Sequence, residues 1–189
     1  MTPRLQPLRP SELTPEQAEV YERIVGGPRG GGPRLFDLTD AEGRLNGPFN
    51  AMLLAPALGD ALQELGARVR YRTSLPDRIR EMAILAVATR WRSDFERYAH
   101  EAIGRAAGLT EDEIRALREE SAPRPEDPHE AAALDLVRSL LVGGDLDDDA
   151  WSAARAELSE VEVFELTTLV GYYVSLALLM RVFRVGLPE

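Results

Sequence analysis

The stretch that decides the fold is Ser74–Leu109, SLPDRIREMAILAVATRWRSDFERYAHEAIGRAAGL. It reads as two consecutive helices joined by a short turn. Ser74-Leu75-Pro76-Asp77 supplies an N-cap, a proline for the first turn and an acid facing the helix dipole. Ile79, Met82, Ala83 and Ala86 recur at helical spacing and predict a buried face. The pattern breaks at Trp91-Arg92. Ser93-Asp94-Phe95-Glu96 then has the form of a capping box for a second helix. Phe95, Ala99, Ala102, Ile103 and Ala106 make its apolar stripe, Gly108 stops it as a left-handed cap, and Leu109 packs back.

Outward from this hairpin the chain reads as helix after helix. Thr14-Pro15-Glu16-Gln17 starts one that ends at Gly26-Gly27, behind a proline-rich arm over residues 1–13. GGPRGGGPR, residues 26–34, lacks the ending of a phosphate loop and follows no strand, so it reads as a connection. A short helix follows Gly47-Pro48-Phe49-Asn50. The next runs from Pro56 to Arg70, with Leu58, Ala61, Leu62, Leu65 and Val69 as its expected buried face. Thr110-Glu111-Asp112-Glu113 opens a short helix. Glu130–Leu141 forms another after the loop over 121–128, and the helix carrying Trp151 and Leu158 follows an acidic linker. Ser159-Glu160-Val161-Glu162 caps the last helix, to about Phe183. It is apolar on nearly all sides, which predicts a central position or a shared subunit face. No strand pattern stands out, and the fold class is all-α.

Composition narrows the chemistry. The 189 residues read as one structural unit, an arm, helix and Gly/Pro-rich loop over 1–46 joined to a helical domain over 47–189. The formal net charge of −10 argues against nucleic acid or an anionic membrane as partner. All 22 basic residues are arginine, which excludes a lysine Schiff base. With no cysteine there is no disulfide, thiolate nucleophile or cysteine metal site, and a cytoplasmic location is expected. The longest uncharged apolar run, 166–180, falls short of the roughly 20 residues of a membrane span.

His100 and Glu81 are the first candidates for chemistry. His100 borders the apolar stripe of its helix, and a carboxylate beside an imidazole orients its proton for acid or base work. Glu96 lies four residues earlier, where it either reaches the ring or bonds the Ser93 amide as part of the capping box. Glu81 borders a buried face and needs a partner, either His100 or an arginine such as Arg78 or Arg80. Tyr172-Tyr173 places at least one phenol in the interior, and His129 reads as an exposed loop residue. Two distant histidines support no zinc site, and no Gly-x-Ser-x-Gly elbow is present.

Gly47-Pro48-Phe49-Asn50, Leu53-Leu54-Ala55-Pro56, Arg80-Glu81-Met82-Ala83-Ile84-Leu85, Trp91–Glu96, His100 and Ala106–Leu109 together resemble the carboxymuconolactone decarboxylase family. That family includes the alkylhydroperoxidase D-like proteins. Gly171-Tyr172-Tyr173 is similar to its longer members. The resemblance implies an alkylhydroperoxidase D-like helical bundle and a homo-oligomer, a trimer or hexamer, with pockets near subunit interfaces. In its peroxidase branch the motif is a glutamate, Cys-x-x-Cys and a histidine. Carried over, these fall on Glu81, Ser93, Glu96 and His100, so thiol peroxidase chemistry is excluded here. The decarboxylase branch implies a cofactor-free lyase acting on a small carboxylated lactone or keto acid. In that reading His100 donates the proton, Glu81 and Glu96 orient it, and Arg90, Arg92 or Arg97 clamps the small organic anion. Asn50 and Tyr172 add contacts to substrate. The competing expectation is an oligomeric small-molecule-binding protein that kept the fold without the chemistry.

Overall fold

The computed structural model describes residues 3–30, 36–120 and 125–188. Its described residues form nine α-helices and a one-turn 3-10 helix, Pro10–Glu12. The helices are α1 (Pro15–Val25), α2 (Phe49–Met52), α3 (Pro56–Tyr71), α4 (Asp77–Arg90), α5 (Asp94–Ala106), α6 (Glu111–Arg118), α7 (Pro128–Gly143), α8 (Asp148–Glu157) and α9 (Glu160–Phe183). Among the described residues there is no strand, only an isolated bridge between Thr39 and Leu45. The expected connection at 26–34 lies partly outside the described residues, as do 121–124 of the expected loop at 121–128.

Helix α4 is the hub, packing against α5, α6, α7 and α9. That explains why it is buried on more sides than one stripe predicts. Ile79, Glu81, Met82, Ala83, Ile84, Leu85, Val87 and Ala88 all leave solvent. The helix opens at Asp77 without a side-chain cap. Ser74, expected to cap it, instead gives its amide and hydroxyl to Glu165 at 2.8–3.0 Å and ties the chain to α9. Arg78 clamps α4 to α6 and α7 through Glu113 (2.6 Å) and Glu130 (2.7 Å), so it is no partner of Glu81.

The turn between α4 and α5 is a Schellman motif. The amide of Ser93 bonds the carbonyl of Ala88 at 2.8 Å, and that of Arg92 bonds Thr89 at 3.1 Å. Arg92 occupies the left-handed position, φ 51°, that glycine usually fills. Below, Gly108 (φ 93°) and the Leu109 amide bonded to Gly104 close α5 as expected. The reversal lays α5 along α4. Glu81 and His100 then lie roughly 12–17 Å from the turn on facing helices, at 1.5 Å rise per residue.

Other caps form as the sequence predicts, with reciprocal bonds at Thr14/Gln17, Thr110/Glu113 and Ser159/Glu162. The Ser93 side chain is the exception and caps nothing. Helix α7 begins earlier than expected, capped by Asp127. His129 therefore sits in its first turn and pairs with Glu162 at 2.8 Å rather than standing free in a loop. Helix α9 is long and apolar enough to cross a bilayer, yet Leu166, Leu169, Tyr173, Leu176 and Ala177 are packed in the protein core.

Helix α3 departs most from expectation. Its apolar stripe is turned outward, with Leu58 69% and Leu65 40% exposed. Gly59, Gln63, Gly66 and Val69 face inward instead. The inward glycines let neighbours approach closely. A Cβ at Gly66 would stand 1.9 Å from the Tyr172 hydroxyl.

Arg92→Gly tests the turn. Releasing a left-handed side chain gains about 1–2 kcal/mol, against a glycine entropy cost of about 0.5–1 kcal/mol. The thermal midpoint is therefore expected to rise, a sign that calorimetry reads directly.

Candidate functional site

The hairpin brings Glu81 and His100 together. Glu81 is completely buried, and its Oε2 lies 2.6 Å from His100 Nδ1. Burial alone would push the Glu81 carboxyl up. The contact with His100, with Arg70 and Arg80 beyond it, outweighs burial and holds the group ionised, below the usual carboxylate range. Arg80 Nε stands 3.8 Å from Glu81 Oε1, and neither atom has a hydrogen-bond partner among the described residues.

His100 is 5% exposed, and burial drives its imidazole below the ordinary value, toward the neutral form. Its tautomer follows from its partners. An ionised carboxylate only accepts, so Nδ1 carries the proton and donates to Glu81. A guanidinium only donates, so Nε2 accepts from Arg70 Nη1, 3.3 Å away. Tyr173 fixes the ring from the side, edge to face at 5.3 Å.

Arg70 is the residue that sequence reasoning missed. It ends the inward row Gly59, Gln63, Gly66, Arg70, spaced four, three and four residues apart, and that spacing was the available signal. Its Nε is buried without a partner, and burial opposes its charge. The nearby Tyr173 and Glu81 overcome that opposition and raise its pKa. Arg29 is the second missed cation. It donates to the Gln63 carbonyl at 3.0 Å, covers the Phe49 ring at 5.4 Å and faces the Tyr172 hydroxyl.

These groups wall a small internal cavity of about 40 Å³, bordered by Arg29, Arg70, Glu96, His100, Tyr172 and Tyr173 with aromatic neighbours that include Phe95. Gly47 makes room for one of these. It has a φ of 62°, and a Cβ there would meet the Phe95 ring at 2.3 Å. Arg29, Phe36, Arg70 and Tyr71 also line an outer cleft of about 510 Å³ that reaches Arg80 and Glu81 from the other side. One wall of side chains thus separates an inner chamber from an outer one.

Glu96 lines the inner cavity at 3% exposure. Neither of its oxygens bonds His100 or the Ser93 amide, and no well-formed hydrogen bond reaches them, the Ser93 hydroxyl being the one polar group whose pull on the carboxyl is felt. Burial pushes its carboxyl up to about 8, with Ser93 drawing it only partly back. Tyr172 lines the cavity, buried at 4%. Asn50 does not. It is tied to the arm, accepting from the Leu8 amide at 3.2 Å and donating to the Gln6 carbonyl at 3.3 Å. Arg92 is exposed, Arg97 pairs with Asp94, and Arg90 reaches the Leu141 carbonyl. None of the three arginines borders the cavity. No cluster of three or more His, Asp or Glu side chains able to hold a metal occurs among the described residues.

Comparison with known proteins bears on the fold and on the central segment. A model of the carboxymuconolactone decarboxylase family matches residues 56–139, the segment that contains Arg70, Glu81, Glu96 and His100. No curated protein matches the sequence. Among solved structures, an Agrobacterium tumefaciens protein, ATU0492, described as an AhpD-type antioxidant defence protein of unknown function, is 22% identical with a TM-score of 0.66. The match covers 74% of this chain and 97% of that one. The debrominase Bmp8 in its apo form is 15% identical with a TM-score of 0.72, covering 97% of this chain and 91% of the other. A cysteine-to-alanine variant of Bmp8 with 2,3,4-tribromopyrrole bound is 14% identical at the same TM-score, covering 100% and 94%. Residues 56–139 are thus similar to the carboxymuconolactone decarboxylase family, and the chain, with no cysteine anywhere in its sequence, has the AhpD-like helical fold.

Proposed function

We propose that this protein is a cofactor-free decarboxylase or related lyase acting on a small carboxylated lactone or keto acid. The observation that carries the reading is Arg70, a cation fixed at the cavity wall through His100 to the buried carboxylate of Glu81. Loss of CO2 leaves an electron pair that a conjugated carbonyl oxygen takes up as an oxyanion. A guanidinium held in a low-dielectric cavity stabilises such an oxyanion far better than water does. Arg70 therefore takes the anion-holding role that the sequence suggested for Arg92 or Arg97. The carbon must then receive a proton, and the cavity wall holds two titratable groups, Glu96, pushed up to about 8, and His100, driven below its ordinary value by burial.

The inner cavity holds a few waters but no lactone. A substrate must displace the Arg29–Phe36–Arg70–Tyr71 wall and draw on the volume of the outer cleft. This tightness favours the second reading, a binding protein that kept the fold and is not catalytic. Carbon dioxide release separates the two. Purified protein supplied with unsaturated carboxylated lactones and keto acids is expected to release CO2. Arg70→Ala and His100→Ala are each expected to lower the rate by about 100-fold or more while remaining folded. Release at the wild-type rate in both variants would sink the lyase reading.

The same reading includes a homo-oligomer, a trimer or hexamer. Val161, Phe164, Leu178 and Val182 stand 43–71% exposed along α9, at spacings of three, fourteen and four residues that keep to a heptad seam. Leu58 and Leu65 on α3 add a second apolar patch. Sedimentation is expected to find more than one subunit per particle, and Phe164→Asp to drive the particle toward monomer with its helical content retained.

A further inference from the structure

We propose that Glu96, as a neutral carboxylic acid, is the proton donor of the cavity, and that His100 is not. The proposal rests on the lyase reading for its chemistry and on the geometry of the wall for its assignment. Glu96 is buried, borders the cavity, and has no counter-charge and no well-formed hydrogen bond on either oxygen among the described residues, only the weak pull of the Ser93 hydroxyl. The charged and titratable groups around the same space are Arg29 beyond α1, Arg70 and Tyr71 on α3, His100 on α5, and Tyr172 and Tyr173 on α9. Neither cation forms an ion pair with Glu96: Arg29 is bonded to Gln63 and faces Tyr172, and Arg70 is bonded to His100. No cation pairs with Glu96 among the described residues, and a buried carboxylate without a counter-charge is costly. The group keeps its proton at neutral pH, with a pKa near the range in which a general acid works best.

His100 is in the opposite condition. Its one proton points away from the cavity to Glu81, and its free nitrogen faces Arg70. It positions the cation and has no proton to give. The step balances without a further reagent. The bond from carbon to the carboxylate breaks, CO2 leaves, and the electron pair moves to the carbonyl oxygen held by Arg70. A new C–H bond then forms from the Glu96 hydroxyl, whose bonding pair stays behind as carboxylate. A proton from water restores the acid before the next turnover.

Infrared spectroscopy of the intact protein tests this without substrate. A neutral-carboxylic-acid band is expected at pH 7, vanishing as the pH passes about 8 and missing from Glu96→Gln. The folded protein binds this proton more tightly than the unfolded chain does. Glu96 therefore costs stability increasingly as pH climbs from the ordinary carboxylate value through about 8. Glu96→Gln is expected to melt higher than wild type at alkaline pH and alike in acid. A saturated γ-lactone bearing one carboxylate, which cannot lose CO2, is expected to bind Glu96→Gln about as well as wild type. CO2 release from the unsaturated lactone is expected to fall about 100-fold or more in the same variant.

A band already gone by about pH 6, where an ordinary glutamate is ionised, overturns the assignment even if CO2 is released. Undiminished CO2 release by Glu96→Gln overturns it as well. A band that titrates at about 8 in a protein that turns over no lactone or keto acid supports the neutral acid and faults the lyase reading instead.

Discussion

The structure depends on one buried charge. Glu81 sits at zero exposure in the central helix, and an unpaired carboxylate there costs several kcal/mol. Its surroundings are arranged to offset that cost. The Schellman turn at Arg92 lays α5 against α4 and delivers His100. The inward small residues of α3 let that helix lie close enough to deliver Arg70, and Tyr173 from α9 fixes the imidazole ring. Four helices thus meet at one carboxylate. A requirement of folding, that a buried charge be answered, assembles the wall of the cavity.

The same cavity region holds a second carboxyl in the opposite state. Glu81 and Glu96 lie on adjacent helices, and both are buried. One is met by an imidazole and two guanidiniums, which hold its carboxyl below the usual range, while burial without a paired cation pushes the other up to about 8. Environment alone separates the two, as it does wherever one site needs both an acid and a fixed negative charge. The imidazole, ordinarily the group that titrates near neutrality, is held neutral between a carboxylate that takes its proton and a cation that occupies its lone pair.

Much of the architecture was legible because helices announce their ends. Thr14, Thr110 and Ser159 cap as their sequences suggest, and the meeting of Glu81 with His100 follows from a hairpin with its turn at Trp91-Arg92. The wall opposite was not legible. On α3 the leucines look like a core stripe, and hydrophobicity alone assigns them inward. The helix instead turns its small and polar row to the protein, because Gln63 and Arg70 find partners there and the glycines permit close packing. Pattern reading cannot tell a leucine face turned to the core from one turned outward. Ser93 and Glu96 misled for a related reason. They have the spelling of a capping box, but the Schellman turn already claims the Ser93 amide for the Ala88 carbonyl, so Glu96 has no local donor to reach.

That displaced cap connects the fold to the chemistry. In the peroxidase branch that the sequence resembles, the positions of Ser93 and Glu96 carry the two thiols. With an alcohol and a carboxylic acid in those places, the site keeps the hydrogen-bonded pair Glu81–His100 and has no group able to form or break a disulfide. A carboxyl at the second thiol position can still do what a thiol's proton does, and burial tunes it into the neutral range where a thiol would also titrate. Replacing sulfur by oxygen at these positions removes the redox couple and leaves a buried carboxyl and the Arg70 guanidinium on the wall of one small cavity, the pair of groups on which the proposed lyase chemistry rests.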